Sequence, residues 1–393
     1  MGPLPRDRLD EGLDRVTRAL IYLDHNASTP IAPEVRAAME PYLTEHFGNP
    51  SSSHEYGRRA RAAIDDARAQ VASAIEARPE EIFFTSGGTE ASNLAILGTA
   101  EARSEPGHVV TSVIEHPATE EPCAYLERRG SRVTRVATDA RGVVDLDRLW
   151  RALATPTRLV TIIHAHNETG VVQPITDIAA RARACGALVH ADAAQSIGKI
   201  PVRVDDLGAD LLSIAGHKLG APKGVGALYV RAGTSIAPVL RGASHERGLR
   251  PGTENVASIV GLGVACTMVT SDLNVAAARM RSLRDRLWTS LVASVPGIAR
   301  HGDTERMLPN TLSVRFPDVR GADMLARAPE VAASTGSACH DGHDLAPAAI
   351  VALGVSPIAA LGTVRLTVGR PTTADEIDEA ARVLARAWNE TRS

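Results

Sequence analysis

From about residue 81 to residue 230, short β-branched runs alternate with Ala- and Arg-rich stretches at helical spacing. That alternation admits few folds, because each strand is followed by a helix that carries the chain back over the sheet. The outcome is a mostly parallel sheet covered by helices. EIFFTS, HVVTSVI, RVTRVA, RLVTIIHA, ALVHAD, DLLSIAG and VGALYV read as strands, with ASNLAILGTAEAR and PITDIAARARACG among the intervening helices. Polar residues gather just past the carboxyl ends of these strands, at 86–90, 115–117, 167–170, 192–195 and 216–218. In open α/β sheets that edge is where ligands bind.

Past Gly242 the alternation gives way to a Gly-rich loop, GASHERGLRPGTEN, and then to a long helical stretch containing VAAARMRSLRDRLWTSLVAS. A boundary near residue 270 follows. The remainder, with LPNTLSVRF, EVAASTGSACH, TVRLTV and a final helix from TADEIDEAARVLARAW, reads as a small α+β unit. At 393 residues the chain is long enough for two such units. No internal repeat or low-complexity tract interrupts it.

Composition narrows the function classes. With 44% hydrophobic and 23% charged residues the chain is globular and not mainly disordered. Its 43 Lys and Arg against 46 Asp and Glu leave a charge of −3, without the basic excess that phosphate-backbone binding needs. The first two dozen residues carry charges at helical spacing and no apolar run of signal-peptide length. No window approaches the roughly 18 apolar residues of a membrane helix. Cys123, Cys185, Cys266 and Cys339 lie far apart with no CxxC pair, as expected in a reducing compartment. A cytoplasmic location is expected.

Two motif groups could carry chemistry. IFFTSGGTEASN is a strand, a Gly-rich turn and the start of a helix, so amides near Gly87 and Gly88 and the Thr89 hydroxyl could hold a phosphate at the helix's positive end. An ordinary helix cap fits the same string. It is no P-loop, and neither is SIGKI, which has Ala193 where the first Gly would stand. In the second group Asp192 ends one strand and Lys218 ends another, which puts both at the same sheet edge. A Lys among apolar strand residues and glycines loses charge stabilisation, which suits Schiff-base chemistry, and a nearby Asp could pair with a pyridinium nitrogen. A structural Asp–Lys ion pair fits equally.

Together, TSGGTE, EHPA, HNETG, HADAAQ, GHK, RPGTEN, TGSAC and TVRLTVGR occur in an order and spacing that resembles the cysteine desulfurase and selenocysteine lyase family. These are fold type I pyridoxal-phosphate enzymes of the class V aminotransferase group. The resemblance runs from about Tyr22 to the C-terminal helix. It implies an N-terminal segment, 1–28, packing on the small domain, a large cofactor-binding domain, 29–270, and a small domain, 271–393, that carries a catalytic cysteine loop.

Residue by residue, the resemblance implies that Lys218 holds pyridoxal 5'-phosphate and that His116 stacks on its ring and assists proton transfer. Asp192 would face the pyridine nitrogen and Gln195 the ring oxygen. Gly88, Thr89 and His217 would bind the phosphate, with Thr253 reaching over from the second subunit of a homodimer. Arg365 would clamp the substrate carboxylate, a task suited to a planar bidentate donor, while Asn26 and Asn167 orient substrate and cofactor. Cys339 matches the catalytic cysteine, and His340 beside it would favour the thiolate. The implied reaction converts L-cysteine to L-alanine and leaves a persulfide on Cys339. Sulfur would then pass to an acceptor such as an iron–sulfur scaffold or a tRNA-thiolation enzyme.

Some positions depart from the family pattern. His166 stands where many relatives have Asn, Ala215 where many have a phosphate-binding Ser, and Ala243 and His245 where Gly and Gln are usual. The string CHDGHD, 339–344, is similar to the loop of selenocysteine lyases, so L-selenocysteine is an alternative substrate. A Cys339, His340 and His343 metal cluster is too tightly spaced to be expected. A non-catalytic assembly protein that retains the fold is a further alternative.

Overall fold

The computed structural model describes residues 20–103, 105–336 and 346–392. Among the described residues eight strands precede residue 231: β1 Ile21–Tyr22, β2 Ile82–Thr85, β3 His108–Ser112, β4 Arg132–Val136, β5 Leu159–Ile163, β6 Leu188–Asp192, β7 Leu211–Ala215 and β8 Gly226–Val230. β9 Ala299–Arg300, β10 Thr311–Arg315, β11 Val331–Ala332 and β12 Thr363–Thr367 follow.

Seven strands form one sheet in the order β2-β8-β7-β6-β5-β3-β4. All seven runs read as strands in the sequence are therefore present. The neighbours from β7 through β4 are parallel. β8 is antiparallel to both β2 and β7. The short link between Ala215 and Gly226 explains this exception, since a parallel crossover takes a dozen or more residues. β5, β7 and β8 are buried at every residue, as expected of a sheet covered on both faces.

Alternation along each strand divides the apolar residues between two layers. Ile82 and Phe84, Val110, Val160 and Leu212 face a core completed by Ile64 and Val71 of helix Glu55–Ala74 and by Ile259 and Leu262 of helix Val256–Ser271. Phe83, Val109, Leu159 and Leu211 face the opposite layer, with Leu94 of helix Gly88–Glu101 and Leu126 of helix Pro117–Arg128.

A second core surrounds the antiparallel sheet β12-β10-β9. Leu283, Leu287 and Leu291 of helix Leu273–Ser294 and Ile377, Leu384 and Trp388 of helix Ala374–Arg392 cover Leu312, Val314, Val364 and Leu366. Ile21 and Leu23 join this core, and β1 pairs in parallel with β11. The chain passes between the two cores at Asp272, where helices Val256–Ser271 and Leu273–Ser294 meet at a 76° bend. Among the described residues no single helix is long and apolar enough to cross a membrane.

The Gly-rich loop after Gly242 is tied to the large sheet by one buried carboxylate. Arg68 grips Glu246 through two bonds of 2.7 and 2.8 Å, and the Phe84 amide donates to the same carboxylate at 2.8 Å. Glu246 and Arg247 both have left-handed backbones, with φ of 44° and 53°. Side-chain anchoring offsets that strain: the Arg247 guanidinium also lies 4.0 Å from the centre of the Phe83 ring. Glu246→Ala, which leaves Arg68 buried without its partner, is expected to lower stability by about 3–5 kcal/mol. Urea unfolding checks this, with paired Arg68→Met and Glu246→Leu replacements expected to cost less than the single change.

Candidate active site

The carboxyl edge of the large sheet faces residues 24–29 and β12 of the second core. After β2, Gly87 adopts φ 150° with open space where a side chain would stand, and helix Gly88–Glu101 begins at once. A Cβ on Gly88 would come within 3.1 Å of the Ala215 Cβ, so the turn is pressed against the end of β7. After β3, His116 caps helix Pro117–Arg128, its Nδ1 accepting the Ala118 amide at 3.1 Å. Neutral His116 therefore carries its proton on Nε2. Thr89 and His116 share a cleft of about 600 Å³ with Asn93, Tyr125 and Val239.

β6 ends in Asp192 and β7 runs into the short 3₁₀ turn Gly216–Lys218. These two residues do not form the ion pair that the sequence left open. Lys218 Nζ donates instead to the backbone carbonyls of Ala27, at 2.7 Å, and of Asn26. Asp192 is 4% exposed and accepts the Ala194 amide at 3.0 Å. His217, on the same turn, meets Ser28 Oγ through Nδ1 at 3.3 Å.

Asn26 occupies the centre. Its amide nitrogen reaches Asn167 O at 3.1 Å and Thr311 Oγ1 at 2.9 Å, and its amide oxygen accepts from Lys199 Nζ and Asn310 Nδ2, both at 3.0 Å. The backbone N–H goes to Thr367 Oγ1 at 3.0 Å, and the carbonyl receives Gln195 Nε2 at 2.9 Å as well as Lys218. With both sides of its amide engaged by protein, Asn26 braces the site from behind. Asn167 contributes its carbonyl, which also accepts from Arg365 Nη1 at 3.2 Å. Arg365 is held from its other side by Asp24, at 2.8 Å.

Burial controls the charges here. The Lys218 amine is pushed down to about 8, by desolvation first and by the Arg365 cation second, against the opposing pull of Asp24 and Asp192. Desolvation raises the Asp192 carboxyl above its ordinary value, outweighing His116 and Lys218. His116 is lowered, again chiefly by burial. Behind them Glu115 is pushed up to about 8.

These groups fit pyridoxal phosphate. Asp192, a buried carboxyl with no ion-pair partner among the described residues, suits a ring nitrogen that brings a proton or a positive charge. Lys218 suits the aldehyde, and the start of helix Gly88–Glu101 with Thr89 and His217 suits a phosphate.

The structure thus gathers Lys218, Asp192, Gln195, His116, His217, Gly88, Thr89, Asn26, Asn167 and Arg365 at one edge. Thr253 is exposed on the loop before helix Val256–Ser271. Cys339, His340 and His343 lie outside the described residues. Two of the departures from the family pattern have local explanations. His166 Nδ1 receives the amides of Glu168 at 3.3 Å and Thr169 at 3.2 Å, closing the 166–170 turn, and His245 Nδ1 receives the Gly252 amide at 3.2 Å. The sequence reading missed Asp24, Lys199, Asn310 and Thr311. Asp24 stands two residues before Asn26 and could have been noticed, whereas Asn310 and Thr311 come from a distant strand and carry no local signal.

The aminotransferase class-V family model matches residues 21–380. Cysteine desulfurase IscS of Dictyoglomus turgidum is 42% identical over 377 residues, 95% of each chain. A cysteine desulfurase of Gluconacetobacter diazotrophicus is 43% identical over 369 residues, covering 93% of this chain and 92% of its own. Among solved structures, a NifS-like protein superposes with a TM-score of 0.88 at 35% identity, over 93% of this chain and 98% of that one.

An amine must lose its proton to react as a nucleophile, so a depressed pKa brings Lys218 into its reactive form at lower pH. Labelling of the cofactor-free protein with an amine-specific reagent, followed by peptide mass spectrometry, is expected to give a Lys218 midpoint near pH 8. Arg365→Met, which removes the second cause of the depression, is expected to move that midpoint upward.

Proposed function

Because the chain belongs to the aminotransferase class-V family and is a pyridoxal-phosphate-dependent cysteine desulfurase, we propose that Lys218 carries the cofactor and Cys339 takes up the sulfur. The observation that carries this assignment is the placement of Lys218 and Asp192 at the carboxyl ends of adjacent strands, facing Arg365 from the second core. The substrate is L-cysteine and the sulfur passes on to an acceptor protein.

The cofactor supplies a sink for the electrons released when the α-proton of a bound amino acid leaves. Arg365, already oriented by Asp24 and the Asn167 carbonyl, receives the substrate carboxylate through its guanidinium. Asn26 braces Asn167 and orients the carbonyls that hold Lys218. Lys218 would take the α-proton of the bound amino acid; the lowering of its pKa to about 8 enlarges the share of the amine that is unprotonated near neutral pH. Asp192 would hold the ring nitrogen, Gln195 its oxygen, and Gly88, Thr89 and His217 the phosphate. His116, whose Nδ1 is occupied by the Ala118 amide, would stand beside the ring and move a proton at Nε2.

The Cys339 thiolate attacks the sulfur of the substrate. The new S–S bond forms as the C–S bond breaks, the carbon skeleton takes up a proton, and alanine leaves. The balance is L-cysteine plus enzyme thiol giving L-alanine plus enzyme persulfide.

Thr253, exposed and remote in sequence from the other phosphate ligands, is assigned to the cofactor of a second subunit in a homodimer. The division into 1–28, 29–270 and 271–393 accords with the two cores meeting at Asp272 and with Ile21 and Leu23 packing on the second. An iron–sulfur scaffold or a tRNA-thiolation enzyme is the proposed acceptor, and the cytoplasm the proposed compartment, since persulfide transfer needs reduced thiols.

Borohydride reduction followed by peptide mass spectrometry is expected to place the pyridoxyl group on Lys218, and brief exposure to cysteine to place one extra sulfur on Cys339. Lys218→Ala is expected to abolish alanine formation. Cys339→Ala should lose the persulfide, and wild-type sulfide release by that variant would overturn its assignment. Arg365→Lys, which gives up the bidentate clamp, is expected to lower kcat/KM by about tenfold to a hundredfold.

A further inference from the structure

One basic group at the site has no part in the chemistry above. Lys199 follows β6 by seven residues and is 6% exposed. Among the 43 Lys and Arg residues of the chain only Lys199, Lys218 and Lys223 are lysines, so this position holds a lysine in a protein that otherwise uses arginine almost throughout. Its Nζ donates to Gln195 Oε1 at 2.7 Å and to Asn26 Oδ1 at 3.0 Å. No carboxylate is paired with it among the described residues. Burial first, and the neighbouring Lys218 and Arg365 cations second, push its pKa well below the ordinary lysine value.

A neutral amine has two hydrogens to donate, and two acceptors are present. Arginine would bring a fixed charge and five donors to the same space. The site is therefore built for an uncharged donor.

Gln195 is consequently fixed at both ends of its amide. Lys199 occupies Oε1, while one Nε2 hydrogen goes to the Asn26 carbonyl at 2.9 Å. The other Nε2 hydrogen has no partner among the described residues. We propose that Lys199 is a positioning residue: by bridging Asn26 Oδ1 and Gln195 Oε1 it locks the Gln195 amide so that its remaining hydrogen is presented to the ring oxygen of pyridoxal phosphate. This rests on the assignment of Lys218 as the cofactor's attachment point. Without Lys199 the buried Gln195 oxygen has no donor, and the amide regains one only by turning away from this orientation.

A hydrogen-bond donor at the ring oxygen stabilises negative charge there and lowers the basicity of the nitrogen that joins Lys218 to the cofactor. Its loss raises the pH at which the cofactor's visible absorbance band changes. Titrating that band in the holoenzyme, in Lys199→Met, in Gln195→Ala and in the double variant tests the proposal. Each single change is expected to raise the midpoint by about one pH unit, the size of one hydrogen bond to a charged group. The double variant is expected to go no higher than Gln195→Ala alone.

An unchanged midpoint in Lys199→Met would overturn the proposal. So would additive shifts, because they would mean that Lys199 acts as a charge and not through Gln195. Should Lys199→Met fail to fold, Lys199→Gln, one atom too short to bridge both acceptors, is read against the same outcomes. Absence of borohydride labelling on Lys218 in the wild type would remove the underlying assignment as well, whereas labelling with an unmoved midpoint would remove only the role of Lys199.

Discussion

The arrangement of the site depends on Asn26 having its polar groups paired at once. Its side chain joins Lys199 after β6 to Asn310 and Thr311 at the start of β10, and its backbone joins Thr367 at the end of β12 to Gln195 and Lys218. Hydrogen bonds from this one residue therefore bridge two separately packed cores and help to set their relation. Such a joint tolerates little displacement. Each bond is worth only about 0.5–1.5 kcal/mol net, but leaving one of these buried groups unpaired costs about 1–3 kcal/mol. A shift of β10 or β12 is thus opposed by several such costs together. Arg365 inherits the same restraint, because the Asn167 carbonyl it donates to is itself held by Asn26.

Much of this was legible in the sequence because the signals were local. Short β-branched runs made the seven strands visible, and the ligand edge followed from where their polar residues collect. The reversal of β8 was less visible, since it depends on the shortness of the link after β7 and not on the strand's own residues. Asn26 was read as an orienting residue, but its partners lie 141 to 341 positions away in sequence, and no pattern of residue types announces pairings at that range. Lys199 was passed over for a different reason. SIGKI was weighed only as a phosphate loop, and the lone lysine between Ile197 and Ile200 was given no reading of its own. Its burial follows from tertiary packing, and only the scarcity of lysine in this chain could have marked it.

Charge supplies the last link between fold and chemistry. Lys199, Lys218 and Arg365 lie close enough to influence one another in a region that water barely reaches. At an effective dielectric near 20, two like charges 4 Å apart repel by about 4 kcal/mol, so three full cations cannot share this space cheaply. The lysines yield, since an ammonium can lose its proton and a guanidinium cannot. Arg365 therefore remains the persistent cation and, after burial, is the second cause of the lowered Lys218 pKa. On the assignment in which Arg365 receives the substrate carboxylate, binding neutralises one cause of that depression. Lys218 then becomes a stronger base after substrate has entered than before. The residue that recognises the substrate would thereby also set the basicity of the residue that acts on it, through a field and without any movement of the backbone.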